Sequence, residues 1–281
     1  MIPDVVAVGH IARDEFAGED GWRLGGSALY AAATTARLGA RTLLITRVAE
    51  RERPALAERC HELGIELRAL PASVTTTFAH RFDEHGHRTL RLKARALSIG
   101  AADVPSEARG APALVLGSIA HELGEDLLAS LPRHAAVLIG QGYLREWTAD
   151  GTIKPREWDD ALDILEHVRV VVVSEDDLTD LSVAKRWAAV TPVVVTLAER
   201  GARLYEPLGE VTIDGFPVRE VVDQTGAGDA FAAALALALA DGLALREAIR
   251  DANAVASFAV EGKGTSGLAD RARVEERTRA G

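Results

Sequence analysis

The chain has 281 residues, enough for one large α/β domain with a minor appendage or for two small domains. Its formal net charge of −10 argues against a nucleic-acid partner, which would need a basic surface, but not against phosphates held by local N–H groups and Mg²⁺. A single cysteine, Cys60, excludes a disulfide framework or a cysteine metal cluster, and 48% hydrophobic with 5% aromatic residues indicates a core of Ala, Val and Leu.

The apolar run 5–8, ending at Gly9, predicts a buried strand. Asp14 falls just past its C-terminal end, the side on which open α/β sheets hold ligands. By itself it reads equally as a solvated loop carboxylate. Gly25-Gly26 opens a helix over 27–38 that stops at Gly39. A strand at 42–48, a helix at 54–63 closed by Gly64 and a strand at 65–70 follow, with Cys60 buried or idle in the helix. Extended segments 75–82 and 88–93 flank the Gly-containing turn 83–87 and predict a β-hairpin. His80, His85 and His87 lack helical spacing and cysteine partners, so a solvated turn is expected rather than a metal set.

Strands at 113–116 and 135–139 enclose a helix at 122–131, and Gln141 to Arg145 lies beyond the second strand's end. A helix at 156–167 carries Trp158, Leu162 and Leu165 at core spacing. The β-branched run 168–173 predicts a strand buried on both faces, ending at Ser174 and Asp177, hard oxygen ligands suited to Mg²⁺. Strands at 193–197, 203–206 and 211–216 lead to the stretch Val221–Asp241. There Gly226-Ala227-Gly228 turns into an Ala/Leu helix over 230–240 with Asp229 at its start. Glycines let the backbone turn tightly and present free N–H groups, and the helix N-terminus adds partial positive charge, a pairing suited to phosphate. Asp229 is then either a helix cap or the acceptor of a proton from an attacking hydroxyl. A helix at 245–260 carries Asn253, the Gly-rich 262–267 loop follows, and an exposed helix closes the chain from Ala269. Strand–helix alternation implies a parallel sheet with helices on both faces.

The run Asp223-x-Thr225-Gly226-Ala227-Gly228-Asp229-Ala230-Phe231 resembles the signature of the ribokinase (PfkB-type) carbohydrate kinases, and the likeness extends from Asp14 to Gly267. It implies one domain over 1–281, a three-layer doubly wound α/β fold with a mostly parallel sheet and a small β lid from about 75–93. It further implies ATP-dependent phosphorylation of a hydroxyl on a small sugar or polyol, with Asp229 as base and Gly226, Ala227 and Gly228 as anion hole. Asp14, Gly25, Gly26 and Tyr30 would meet substrate, with Gln141 and Arg145 across the crevice. Ser174, Asp177, Thr196, Gly201, Thr225, Asn253 and Gly264 would serve ATP and Mg²⁺, and Asp223 with Thr225 would hold K⁺ or a similar cation. The chain departs from the family pattern at Tyr30 (the family has Asn), at Ser174 and Asp177 (Asn and Glu), and at Ala198 (Gly). Tyr30 and the 141–145 segment are similar to the inositol-kinase branch. A nucleoside kinase and a weakly catalytic sugar- or nucleotide-binding regulator are the alternatives. No membrane partner is expected, location is expected to be cytoplasmic, and the resemblance implies a homodimer through the lid.

Overall fold

Each apolar run that the sequence offers as a strand is consumed by one sheet. In the computed structural model, which describes residues 2–82 and 88–280, nine strands take the spatial order Gly209–Ile213, Ala202–Glu206, Val193–Thr196, Val170–Ser174, Ala136–Ile139, Ala113–Gly117, Val5–Val8, Thr42–Ala49, Glu66–Ala72. The seven from Val193–Thr196 onward pair parallel; at one edge Ala202–Glu206 runs against them and Gly209–Ile213 turns back beside it.

Period-2 side-chain alternation divides the strands between two cores. Val5, Ala7, Leu44, Val115, Val137 and Val172 face the helices Ser27–Arg37, Ala227–Ala240 and Leu245–Ala259. Val6, Val8, Ile45, Leu114, Leu116 and Val173 face Leu127, Leu128, Trp158, Leu165 and Trp187. The result is three layers. The helix Ala227–Ala240 is mostly Ala and Leu and buried from Ala230 to Leu239, its short side chains allowing it to lie between the sheet and its helical neighbours. Cys60 is buried, and burial pushes its thiol up to about 11, so it is an inert packing group.

A separate sheet of order Arg23–Gly25, Ala12–Phe16, Thr77–Phe82, Arg88–Ala94 rises from the C-terminal end of Val5–Val8. The expected hairpin is therefore present, and residues 12–16 and 23–25 add two strands to it; its turn, with His85 and His87, lies outside the described residues. A two-stranded ribbon, Arg145–Trp147 with Ile153–Pro155, docks on this sheet's outer strand: the Leu92 amide donates to the Gly151 carbonyl at 2.8 Å. Ala12, Phe78, Ile119 and Ala120, with Leu90, Leu92, Trp147 and Ile153 beside them, form a small core between sheet, ribbon and body.

Two helices are shorter than their patterns suggest. The segment expected as 156–167 is helical only over Ala161–Leu165; Trp158 and Leu165 are buried, but Leu162 is 48% exposed. The helix expected from residue 122 begins at Glu125. Glu122 is instead a fully buried anchor whose carboxylate accepts the amides of His10, Ile119 and Ala120 at 3.1, 2.9 and 2.7 Å and the Ser118 hydroxyl at 3.2 Å. Buried carboxylates persist only when their lone pairs are satisfied, and here they fasten the loops beyond two neighbouring strands. Glu122→Ala would strand those donors and should lower unfolding free energy by about 3–5 kcal/mol in urea titration, with Glu122→Gln losing less because one acceptor remains.

Candidate active site

The turn after Asp223 is shaped by one glycine. Gly226 caps the helix Ala227–Ala240 at φ 80°, a left-handed conformation, and a Cβ there would stand 2.4 Å from the Tyr30 ring. Only glycine meets both demands. Gly228 is exposed, with nothing within 4 Å of where its side chain would begin, and it lies in the first turn, where helix amides lack intrahelical partners. Asp229 follows, half-buried in the same turn. Burial pushes its carboxyl up to about 6; a hydrogen bond from Ser27 and the Arg145 charge pull it down, and Asp177 pushes it up.

Arg145 and Asp177, both beyond the C-terminal ends of sheet strands, act on this carboxyl; the other candidates come from several elements. Asp14 lies on Ala12–Phe16, its Oδ1 accepting from His80 Nε2 at 2.9 Å, while its Oδ2 rests where a Gly25 Cβ would come within 2.1 Å. Gly26, at φ 98°, starts the helix that carries Ser27 and Tyr30. Burial pushes the Tyr30 phenol up to about 12, reinforced by the charges of Asp14, Asp229 and Asp223 and opposed by Arg23. The charges of three carboxylates therefore reach Tyr30. Gln141, in the 3₁₀ turn Gly140–Leu144, donates to Asp177 Oδ1 at 3.3 Å, and Arg145 begins the ribbon strand beyond it.

Asp177 Oδ2 accepts the Ser174 amide at 3.0 Å, and the Ser174 hydroxyl accepts the Asp176 amide, closing a turn at the end of Val170–Ser174. Thr196 pairs beside Ser174 on the next strand. Asp223 joins two loops, Oδ1 accepting the Thr225 amide at 2.9 Å and Oδ2 the Gly264 amide at 3.2 Å. Burial raises its pKa, but these bonds outweigh burial and hold it below the ordinary carboxylate value. Two other candidates have structural engagements. The Asn253 amide nitrogen donates to the carbonyls of Ile213 and Asp214 at 3.0 and 3.1 Å. Gly201, at φ 90°, packs where a Cβ would stand 2.2 Å from the Ile213 carbonyl, and Ala198 takes φ 51° in the same turn.

Three site residues escape the sequence reading. Ser27 is the first residue after Gly26 and bonds Asp229, and Arg23 faces the same crevice from the neighbouring strand. His80 was expected in a solvated turn; it is a strand residue paired with Asp14 and stacked on Phe16 at 4.6 Å. Its signal was its place two residues after Phe78 in a half-buried strand. Among the described residues no cluster of three or more His, Cys, Asp or Glu is arranged as a metal-ligand set, and no helix is long and apolar enough to cross a membrane.

The model of the pfkB family carbohydrate kinases matches residues 17–271. The chain is similar to a ribokinase of Bacillus subtilis, 46% identical over 83 residues that cover 29% of this chain and 28% of that protein. It is also similar to the bifunctional protein HldE of Hyphomonas neptunium, 29% identical over 86% of this chain and 53% of that protein. The chain thus spans about half, or less, of the length of these relatives. Among solved structures, a pyrophosphate-dependent kinase in the ribokinase family, complexed with a pyrophosphate analog and myo-inositol, superposes with a TM-score of 0.80 at 21% identity, covering 97% of this chain and 99% of that one. Arabidopsis thaliana ribokinase complexed with ribose and ATP gives 0.77 at 21% identity, covering 99% of each chain. A Methanocaldococcus jannaschii nucleoside kinase gives 0.75 at 17% identity, covering 99% of this chain and 98% of that one. The glycine turn with its following aspartate, the parallel sheet with its accessory sheet, and the family match over 17–271 agree: this chain belongs to the PfkB family of carbohydrate kinases.

Proposed function

We propose that this protein transfers the γ-phosphoryl group of ATP, with Mg²⁺, to a hydroxyl of a small sugar or cyclic polyol. The observation that carries this reading is Asp229: a half-buried carboxyl pushed up to about 6 at the start of a helix, one residue past Gly228, which opens onto free space. A base near neutral pKa can take a hydroxyl proton, and the turn's N–H groups can steady the transferring phosphoryl. Asp14 would hold substrate hydroxyls, Tyr30 would supply a flat wall for the ring, and Gln141 and Arg145 would close the far side. Asp177, whose field already raises Asp229, is the carboxylate suited to Mg²⁺ beside the donor phosphates, and Mg²⁺ when bound neutralises phosphate charge. Ser174, Thr196, Thr225 and Gly264 would border the donor side of the crevice. The accessory sheet would act as a lid that excludes water, and a dimer would form through it. A nucleoside acceptor is the alternative substrate within the same fold.

The donor has a second reading, inorganic pyrophosphate. The groups expected around a nucleoside are otherwise engaged: the Asn253 nitrogen on two carbonyls and Gly201 against Ile213, with Ala198 in place of glycine. A donor recognised through its phosphates alone needs none of them. Turnover of a panel of sugars, polyols and nucleosides with each donor tests both readings; no turnover with any acceptor would overturn the kinase assignment.

Asp229→Asn should lower kcat by about 10²–10⁴ while donor binding survives. Because burial holds the folded-state pKa above 3.8, ionisation works against folding as pH rises through about 6. The Asn variant should therefore keep or raise Tm at pH 8, and wild-type kcat/KM should climb through about pH 6 and level above it.

Tyr30→Asn and Arg145→Ala should each change the order of kcat/KM among cyclic polyols and furanoses, not merely lower Tm; an unchanged order in both would remove these residues from the substrate wall. The loops joined by Asp223 would hold a monovalent cation, since the carboxylate cluster of Asp14, Asp177, Asp223 and Asp229 favours positive charge. Rates should rise with K⁺ at matched ionic strength.

A further inference from the structure

Along Ala12–Phe16, side chains alternate between the two faces of the accessory sheet. Ala12, Asp14 and Phe16 share one face, and through the parallel register Asp14↔Phe78 and Phe16↔His80 the strand Thr77–Phe82 adds Phe78 and His80 to it. Ala12 and Phe78 pack against Ile119 and Ala120 of the body, so this face is turned toward the crevice. Arg13 and Glu15, on the opposite face, are engaged elsewhere, Arg13 with Glu52 at 2.8 Å and Glu15 with Lys93 at 2.7 Å.

On the inner face the Asp14 carboxylate is bonded at one oxygen and packed over backbone at the other. His80 Nε2 stands 2.9 Å from Oδ1, and because a carboxylate only accepts, this nitrogen carries the proton. Oδ2 lies over Gly25, the one residue type that leaves room for it. The imidazole is itself fixed by stacking on Phe16, with 4.6 Å between centroids and 20° between planes, and the Arg23 guanidinium lies 4.5 Å from the Phe16 ring. The side chains of His80 and Asp14 retain 11% and 16% exposure, so the pair is packed but opens to the crevice, where the charge of Asp14 reaches Tyr30.

We infer that His80 is a positioning residue for the acceptor: it holds the Asp14 carboxylate in one plane, presented to two adjacent hydroxyls of a sugar or polyol. This rests on the function proposed above, in which Asp14 would hold the acceptor hydroxyls, and adds the role of His80. A carboxylate with a donor already on one oxygen keeps lone pairs on both, and two neighbouring hydroxyls can each donate to one oxygen. Both partners belong to the same small sheet, so the pair is assembled before substrate arrives and moves as a unit. Pre-organisation of this kind removes an ordering cost at binding.

The test compares wild type, His80→Leu and His80→Gln on an acceptor that wild type phosphorylates and on its analogue lacking one hydroxyl of the vicinal pair. His80→Leu should raise the acceptor KM by about tenfold or more, with kcat and donor KM within about threefold of wild type. His80→Gln, whose amide donor reaches the same oxygen, should recover most of that loss. The deoxy analogue should show little difference among the three proteins. A leucine variant with unchanged acceptor KM, equal loss on the deoxy analogue, or a glutamine variant no better than leucine would each overturn the inference while leaving the kinase assignment standing. If His80→Leu fails to fold, His80→Asn, with a shorter reach, replaces it against His80→Gln, and equal KM values in those two would overturn it as well. Wild-type inactivity on every sugar and polyol would overturn the proposed function, and the inference with it.

Discussion

Like charges crowd one crevice, and much of the surrounding structure serves to hold them there. Asp14, Asp223 and Asp229 all act on the Tyr30 phenol, and Asp177 acts on Asp229. Carboxylates brought together out of water raise one another's pKa and resist ionisation unless each is steadied locally. Each is: Asp14 by His80, Asp177 by the Ser174 amide and Gln141, Asp223 by the amides of Thr225 and Gly264, and Asp229 by Ser27. The first three receive direct N–H donors. Asp229 is pushed up to about 6 by burial, and it stands at the helix start.

Topology makes this crowding affordable. The strands that end beside the crevice are parallel, so their C-terminal loops emerge on the same side and the groups arrive from separate elements. Buried Glu122 fastens two of those loops from behind. His10, equally buried, is held between the Thr76 hydroxyl at 2.8 Å and the Leu97 carbonyl at 2.9 Å, which ties the accessory sheet to the strand it rises from. Burial holds His10 below its usual pKa, so the neutral ring with its proton on Nε2 suits both partners. The crevice thus sits on groups that are polar, buried and satisfied.

Sequence made the large sheet legible because strands buried on both faces are written as unbroken apolar runs, as in Val170–Val173. The glycine turn and Asp229 were equally plain, since few residues tolerate that backbone. What escaped was short or two-sided. Ala12–Phe16 reads ARDEF, with charge on the outer face and a carboxylate on the inner one, so no alternation of apolar and polar residues marks it as a strand. Leu162 matched a helical period that the chain follows for only five residues, too few to bury it. His80 was masked by its neighbours in sequence, because a histidine-rich turn suggests solvent while the partner that matters, Asp14, lies 66 positions away.

The ribbon Arg145–Trp147 with Ile153–Pro155 has a consequence for association. A sheet rising from a body exposes an edge, and unpaired edge strands invite another chain to continue the ladder. Here the strand Arg88–Ala94 already has Gly151 against Leu92 and Thr152 bridged to Arg91, with Asp150 paired to the Arg91 side chain. Strand addition at that border meets a backbone that is spoken for. The outward face beside this border carries the ion pairs of Glu15 with Arg13 and Lys93, so any chain that met the sheet there would meet charge rather than an open ladder.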